Sequence, residues 1–125
     1  MLSFPPSATV RIFVARDPVD MLKGFEGLSG IVIDTVNEDP HSGHLFVFFN
    51  RRRNRMKCMV WDGSGLWLLY KRLESGQYQV FDRRSENAGA YEIDAMELAL
   101  LLDGIDLRGA KRRAAQNEVA TVLSA

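Results

Sequence analysis

Short apolar segments separated by turn residues dominate the pattern of this chain. Several of them are rich in β-branched and aromatic residues, which predicts strands. These predicted strands span residues 9–15, 45–49, 56–62, 66–73 and 78–81. Brief polar linkers at 50–55, 63–65 and 74–77 separate the last four. Linkers of this length usually join neighbouring antiparallel strands, so we expect a meander.

Two further segments have the three- and four-residue spacing of helices. The first begins at Asp17-Pro18, where an acidic N-cap precedes a proline, and ends near Asn37. Three glycines lie along one side of this helix, and we interpret them as room for another backbone to approach closely; the alternative is that they fray the helix. They are Gly24, Gly27 and Gly30. The second helix begins after an Asp94 cap and stops at Gly104.

The predicted fold class is α+β, with an antiparallel meander sheet of about four to five short strands packed with two main helices. Alternate residues of the strands at 45–49 and 66–73 are apolar on both faces of the sheet. We therefore expect both faces to be covered, either by helices or by a partner chain, and a homodimer is one way to cover them.

Composition adds few constraints. The 125 residues suit one domain, which we place at 1–107, followed by a basic tail at 108–125 that is disordered or loosely helical. Sixteen basic residues balance sixteen acidic ones, so overall charge indicates neither nucleic acid nor a membrane surface. The lone Cys58 lies in an apolar run and is expected to be a buried, reduced thiol. With neither a signal peptide nor a membrane span in the pattern, we expect a cytoplasmic protein.

Local charge is more informative, because the linker after residue 49 carries four arginines within five positions. We expect a compact basic patch at a hairpin tip, formed by Arg51, Arg52, Arg53 and Arg55 with nearby Lys57. Lys71 and Arg72, at the end of a later strand, are candidates for the same surface. Arginine binds phosphate and guanine bidentately, and a two-stranded ribbon can enter a DNA major groove. The alternative is a solvated turn that keeps an apolar hairpin soluble.

Other chemistry is poorly supported. His41 and His44 have the spacing of a metal-ligand pair, but no second pair accompanies them, so we expect no metal and no cofactor. We expect His44 to play a structural part at its turn. Asp20 and Asp62 occupy cap and turn contexts that explain them without catalysis. The sequence also lacks the ending of a phosphate-binding loop and any local nucleophile motif, so we expect no enzyme activity.

Three segments resemble a known family when they are taken together. They are DMLKGFEGL at 20–28, DPHSGHLFVF at 39–48 and NRRRNRMKCMVWDGSGLWLLYKRL at 50–73. The ordered matches identify the chain as similar to TnpB, the small accessory protein of insertion-sequence 66 transposable elements. That family is distinct from the RNA-guided nuclease of the same name. The likeness runs from about residue 9 to residue 107, although Leu22 stands where the family usually has arginine.

The resemblance implies a helper of transposition that is encoded beside a separate, larger transposase. Two hypotheses follow. In the first, a non-catalytic accessory protein contacts element DNA near its ends through the basic tip and assists the transposase. In the second, an adaptor binds the transposase or itself through apolar strand surface and makes little DNA contact. A small metal-dependent nuclease is a more distant third.

Overall fold

The sheet at the centre of the molecule has five strands in the order β4-β3-β2-β1-β5. A computed structural model describes residues 9–79 and 89–103. The strands are β1 Ile12–Ala15, β2 Leu45–Phe49, β3 Arg55–Trp61, β4 Leu66–Arg72 and β5 Ala90–Ile93. Helix α1, Phe25–Ile31, continues directly into a π-helical segment, Val32–Val36, and helix α2 spans Ala95–Leu102. This confirms the predicted α+β class.

The sheet is mixed, not purely antiparallel. Strands β2, β3 and β4 form the predicted antiparallel meander. Strand β1 instead pairs with β2 in parallel and with β5 in antiparallel orientation. The connection from β1 to β2 contains α1, which is the kind of crossover that a parallel pair requires. As a result, the carboxyl ends of β1 and β2 lie side by side at one end of the sheet.

Helices from this chain cover the apolar side chains on both faces of the sheet over β1, β2 and β3. On one face, α1 and the π-helical segment bring Leu28 and Val32 against strand residues such as Phe46. On the other face, α2 brings Leu98 and Leu101 against a second cluster. That cluster includes Val14, Val47, Met56, Tyr78 and Tyr91. The expectation that both apolar faces are covered is correct for β2, where helices provide the cover. It is wrong for β4, whose Trp67, Leu69 and Tyr70 are exposed among the described residues.

The first helix begins at Phe25 and not at Asp17-Pro18, so the predicted start is wrong. The cause is tertiary: Val19 N–H donates to the Phe49 carbonyl over 2.8 Å, and the Lys57 ammonium binds the carbonyls of Met21 and Lys23. Those carbonyls point at a neighbouring strand and do not bond within a helix. The predicted end is correct, because Asn37 closes the π-helical segment in the left-handed conformation, with φ of 61°.

The three glycines do not mark close packing, which corrects our interpretation of them. A Cβ at Gly24 or Gly30 would meet nothing within 4 Å, and one at Gly27 would touch only the Lys23 side chain. The close approach lies elsewhere, at Gly89. A Cβ there would lie 2.0 Å from the Thr35 carbonyl oxygen.

The end of the described chain differs from the prediction in its strands. Tyr78 and Gln79 are not in a strand, and the rest of that predicted strand lies outside the described residues. Strand β5 was not predicted. Asp94 does cap α2, in a capping box with Glu97, while the predicted stop at Gly104 lies outside the described residues. Among the residues described, no helix has the length and apolar character needed to cross a bilayer.

Candidate nucleic-acid interface

The arginine-rich linker forms a hairpin turn that the side chain of Asn50 organises. Asn50 Oδ1 accepts hydrogen bonds from the backbone N–H of Asn54, at 3.1 Å, and of Arg55, at 3.0 Å. Its Nδ2 donates to Asn54 Oδ1 over 2.7 Å. The two asparagines therefore satisfy the inner polar groups of the turn. This follows from ordinary turn chemistry, in which asparagine substitutes for a backbone partner.

A second set of bonds anchors the outer half of the turn. Arg53 adopts the left-handed conformation, with φ of 57°, which few non-glycine residues do. Its carbonyl accepts from Tyr78 N–H, and the Arg52 carbonyl accepts from the Gln77 side chain over 2.8 Å. Tyr78 is itself buried, with its ring 5.2 Å from that of Phe49. The backbone of the tip is therefore held on both sides.

The side chains at the tip are directed outward. Arg51, Arg52 and Arg53 are all exposed. Within residues 9–79 and 89–103, their guanidinium groups have no hydrogen bond or ion pair. Backbone anchoring without side-chain pairing leaves three adjacent positive charges available to a ligand.

Shallow grooves flank the tip on several sides. One of about 450 Å³ lies between the tip and the 18–21 loop, and its cationic lining is Arg51, Arg52 and Arg55. Another, of about 240 Å³, joins Arg16 to Arg51 and Arg53. Acidic side chains also line these grooves: Asp20 the first and Asp17 the second. The grooves are therefore mixed in sign, with arginine in excess.

Arg55 and Arg72 extend the basic surface along the sheet. They are directly opposite in the pairing of β3 with β4, so they lie on the same face. Arg55 donates to the hydroxyl of Tyr70 over 3.3 Å, and Arg72 approaches Glu74 to 3.7 Å. Together with these partners they line a further open groove. The structure thus brings Arg72 close to Arg55, as proposed.

Lys57 does not belong to the exposed patch, which corrects its predicted placement. Its side chain is buried, and the ammonium lies 2.7 Å from the Met21 carbonyl oxygen and 2.8 Å from that of Lys23. It also lies 5.0 Å from the ring centroid of Tyr70. Lys57 therefore fastens the loop before α1 to the sheet and is not available to a ligand.

Lys71 is also separated from the tip surface. It is opposite Met56, whose side chain belongs to the α2 side of the sheet. Its ammonium donates to the carbonyl of Leu102 at the end of α2. Lys71 and Arg72 therefore point to opposite faces. The second basic cluster seen in the sequence, Arg108 to Arg113, lies outside the described residues.

Arg16 is a residue of this surface that the sequence alone did not indicate. It follows β1 directly, and its guanidinium lies 5.5 Å from the ring centroid of Tyr91. Parallel pairing of β1 with β2 brings it beside the arginine turn. The sequence pattern did not reveal that β1 pairs in parallel with β2. In a purely antiparallel meander, the end of β1 would not lie beside the arginine turn.

The carboxylates and histidines considered for catalysis or metal binding have structural partners. Asp62 accepts from the N–H groups of Ser64 and Gly65 and from Trp67 Nε1 at 2.7 Å. These bonds, led by the Ser64 N–H, lower the pKa of Asp62 to about 2. Asp20 accepts from Leu22 N–H. Asp62 therefore has the predicted turn role, whereas Asp20 bonds within a turn and does not cap a helix.

His44 is a structural residue, and its ring bonds the backbone before β1 and not its own turn. Its Nδ1 accepts from the backbone N–H of Arg11, just before β1. The ring of His41 instead packs edge-on to Trp61, with centroids 4.6 Å apart. Cys58 has a free, buried thiol, as predicted, and burial raises its pKa to about 12. In the part of the chain that the structure describes, no group of three potential metal ligands comes together.

These features define a class: a small α+β protein with a mixed sheet and an arginine-rich hairpin tip, whose backbone is anchored by hydrogen bonds on both sides. Comparison with known proteins is more specific. The chain belongs to the IS66 Orf2-like protein family, whose pattern matches residues 10–112, and this is a family of insertion-sequence accessory proteins.

Two relatives come from Sinorhizobium fredii strain NGR234, and each is described as an uncharacterized protein. The protein y4jC is 40% identical over 108 residues, covering 86% of this chain and 90% of its own. The protein y4hO is 36% identical over 104 residues, covering 83% of this chain and 88% of its own. No solved structure matches the chain.

Proposed function

We propose that this protein is a non-catalytic accessory protein of insertion-sequence transposition that contacts element DNA through the hairpin tip. The observation that supports the proposal best is the arrangement of Arg51, Arg52 and Arg53. Their backbone is fixed by the asparagine and Tyr78 bonds, while their guanidinium groups are exposed. A turn needed only for solubility requires neither three adjacent arginines nor a doubly anchored backbone.

The contact set that we propose consists of the three tip arginines with Arg55 and Arg72 at the margin. Arginine neutralises phosphate and releases condensed counterions, which gives affinity that does not depend on base sequence. The nearby acids Asp17 and Asp20 oppose a phosphate that approaches the 18–21 loop. The phosphates are therefore expected at the outer side of the tip, away from that loop and from Glu74, which lies 3.7 Å from Arg72.

Family membership supports the biological setting, and the partners follow as proposals. The DNA would be that of the element, near its ends, and the protein partner would be the transposase of the same element. The protein would act in the cytoplasm, where both partners are present. The charge needed for this role is local, since the whole chain is neutral.

Fluorescence anisotropy of labelled duplex over a salt series tests the proposal. The duplexes are an element terminus and a scrambled control. We expect salt-sensitive binding that is lost when Arg51, Arg52 and Arg53 are changed together to glutamate. Arg11→Gln is a matched control, because Arg11 precedes β1 at the opposite end of the sheet and pairs with Glu92 at 2.7 Å. It should bind like the parent protein.

The same assay distinguishes the rival functions. Preference for the terminus would add sequence recognition to phosphate binding. Absence of binding to either duplex at low salt would overturn the proposal and leave the adaptor hypothesis, with the transposase as the next partner to test. Magnesium-dependent cleavage of plasmid DNA, lost on Asp62→Asn, would contradict the non-catalytic role.

A further inference from the structure

The outer edge of β4 is long, apolar and unpaired within the described residues. Strand β4 has seven residues and is the terminal strand of the sheet, whereas the opposite terminal strand, β5, has four. Trp67, Leu69 and Tyr70 are 40%, 49% and 51% exposed. Unpaired edges of this kind invite another strand, and soluble proteins usually shorten or cover them.

The register of β3 with β4 determines which backbone groups point outward. Asp62 N–H donates to the Gly65 carbonyl at one end of the pair, and Leu73 N–H donates to the Asn54 carbonyl at the other. Bonding groups alternate along an antiparallel pair. Odd-numbered residues of β4 therefore bond to β3, and even-numbered residues present their N–H and C=O groups outward. Those outward residues are Leu66, Leu68, Tyr70 and Arg72.

From this geometry we infer that β4 pairs with β4 of a second copy, antiparallel and centred on Leu69. A two-fold axis at Leu69 places Leu68 opposite the second copy's Tyr70, and Leu66 opposite its Arg72. All four outward residues are then paired in both copies. An axis centred on Leu68 would leave Arg72 beyond the end of the facing strand, so centring on Leu69 pairs the edge most completely.

The side chains are complementary in the same register. Leu69 meets its own counterpart as a non-hydrogen-bonded pair, in which Cα atoms approach to about 4.5 Å. Lys71 lies opposite the second copy's Trp67, and Arg72 opposite Leu66, so no two like charges face each other. Cations on an edge strand usually discourage self-pairing. Here each faces an aromatic or aliphatic side chain, which leaves no direct repulsion.

This inference does not rest on the proposed DNA contact, and it uses the backbone edge of β4 and not the faces of the sheet. Mass measured by light scattering tests it without nucleic acid. The full-length protein should show twice its 14.1 kDa chain mass at micromolar concentration. A single chain mass across the accessible concentration range would overturn it, whether the edge is open or covered by another part of the chain.

Charge at the two-fold axis provides a sharper test. Leu69→Lys and Leu69→Glu each place two like charges opposite one another, so each variant alone should have the single-chain mass. Mixing them in equal amounts should restore twice that mass, which a folding defect could not do. Leu22→Lys is the control, because Leu22 is 92% exposed and is not part of the paired edge. Dimers that persist in both Leu69 variants would contradict the pairing.

A backbone variant tests the hydrogen bonds themselves. Tyr70→Pro removes one outward N–H, and its ladder with β3 is unaffected because that N–H points away from β3. We expect dimerisation about tenfold weaker or more, since two intermolecular bonds are lost across the pair. Tyr70→Ala keeps the N–H and should remain closer to the parent protein. Equal dimerisation of the proline and alanine variants would show that these bonds are not formed.

Discussion

Lys57 is a buried cation whose hydrogen-bond partners are backbone carbonyls, not a carboxylate. The carbonyls of Met21 and Lys23 solvate its ammonium, and the ring of Tyr70 lies beneath it. A charge held this way is stabilised only while the loop keeps its shape. The loop in turn needs the charge, because its carbonyls would otherwise lack partners. Together with the backbone bond from Val19 to Phe49, this side chain keeps the segment before α1 out of a helix.

Replacing Lys57 with methionine should destabilise the fold by about 1–3 kcal/mol, because two carbonyls lose a charged donor. Urea denaturation gives the free energy of unfolding. Lys23→Met is the matched control, since the Lys23 side chain is exposed and its replacement should change stability by less than about 0.5 kcal/mol. The salt dependence of DNA binding should be the same in Lys57→Met as in the parent, because Lys57 is not at the surface. A weaker salt dependence of DNA binding in Lys57→Met would indicate that Lys57 does contact DNA.

Asp62 should make stability depend on pH in the acid range. Its pKa is about 2 in the folded protein against an ordinary value of 3.8, so the folded state favours the carboxylate. The contribution is complete above the ordinary pKa and is lost as pH falls from about 4 through about 2. Asp62→Asn should be less stable than the parent at pH 7, since an amide nitrogen cannot accept from Trp67 Nε1.

The difference between Asp62→Asn and the parent should shrink as pH falls toward 2, as measured by denaturation at a series of pH values. Asp34→Asn is the control variant, because it removes the same charge at an exposed position. A difference that stays constant across this range would show that the carboxylate form of Asp62 is not what stabilises the turn.

At the scale of elements, the join between β5 and the π-helical segment depends on one glycine. Gly89 precedes β5, its carbonyl accepts from Arg16 N–H at 3.0 Å, and its Cα hydrogens face the Thr35 carbonyl. Gly89→Ala should destabilise the protein by about 1–3 kcal/mol, because backbone must shift to admit the methyl group. Thermal or urea unfolding measures the change.

Gly30→Ala is the opposite case and serves as its control. Gly30 lies in α1, and its added methyl would enter open space. The change should stabilise the protein by up to about 1 kcal/mol through helix propensity. If Gly89→Ala and Gly30→Ala both destabilised the protein, the effect at Gly89 could not be attributed to its contact with Thr35.

The elements differed in how well the sequence predicted them, for identifiable reasons. Strand β2 and the meander were predictable because local alternation and turn residues specify hairpins. Strand β5 was missed because its four residues merge with the Asp94 cap that follows. The start of α1 was wrong because a buried lysine, distant in sequence, overrides a good local cap. The arginine tip could be predicted from the sequence. The burial of Lys57 could not, because it depends on the loop before α1 that packs over it. The position of Arg16 could not, because it depends on the parallel pairing of β1 with β2.

For the molecule as a whole, net neutrality means that the proposed DNA contact depends on the arginine tip alone. Only a few phosphates can be neutralised, so we expect the logarithm of the binding constant to fall with the logarithm of salt at a slope of about −3 to −5 per chain. Each single change of Arg51, Arg52 or Arg53 to glutamine should reduce that slope by about 1. Anisotropy titrations at several salt concentrations give the slope. An unchanged slope in Arg52→Gln would show that Arg52 does not contact a phosphate.

The position of β1 between β2 and β5 also has a consequence for the order of folding. The meander is built from neighbours in sequence, so its loops close at small entropic cost and it can form early. Strand β5 joins a strand that left the ribosome long before it, since Arg11 and Glu92 are 81 residues apart. Until β5 arrives, one edge of β1 is unpaired and the Gly89 contact is absent. We therefore expect the pairing of β5 to form late, and a chain interrupted before residue 89 would expose a second unpaired strand edge.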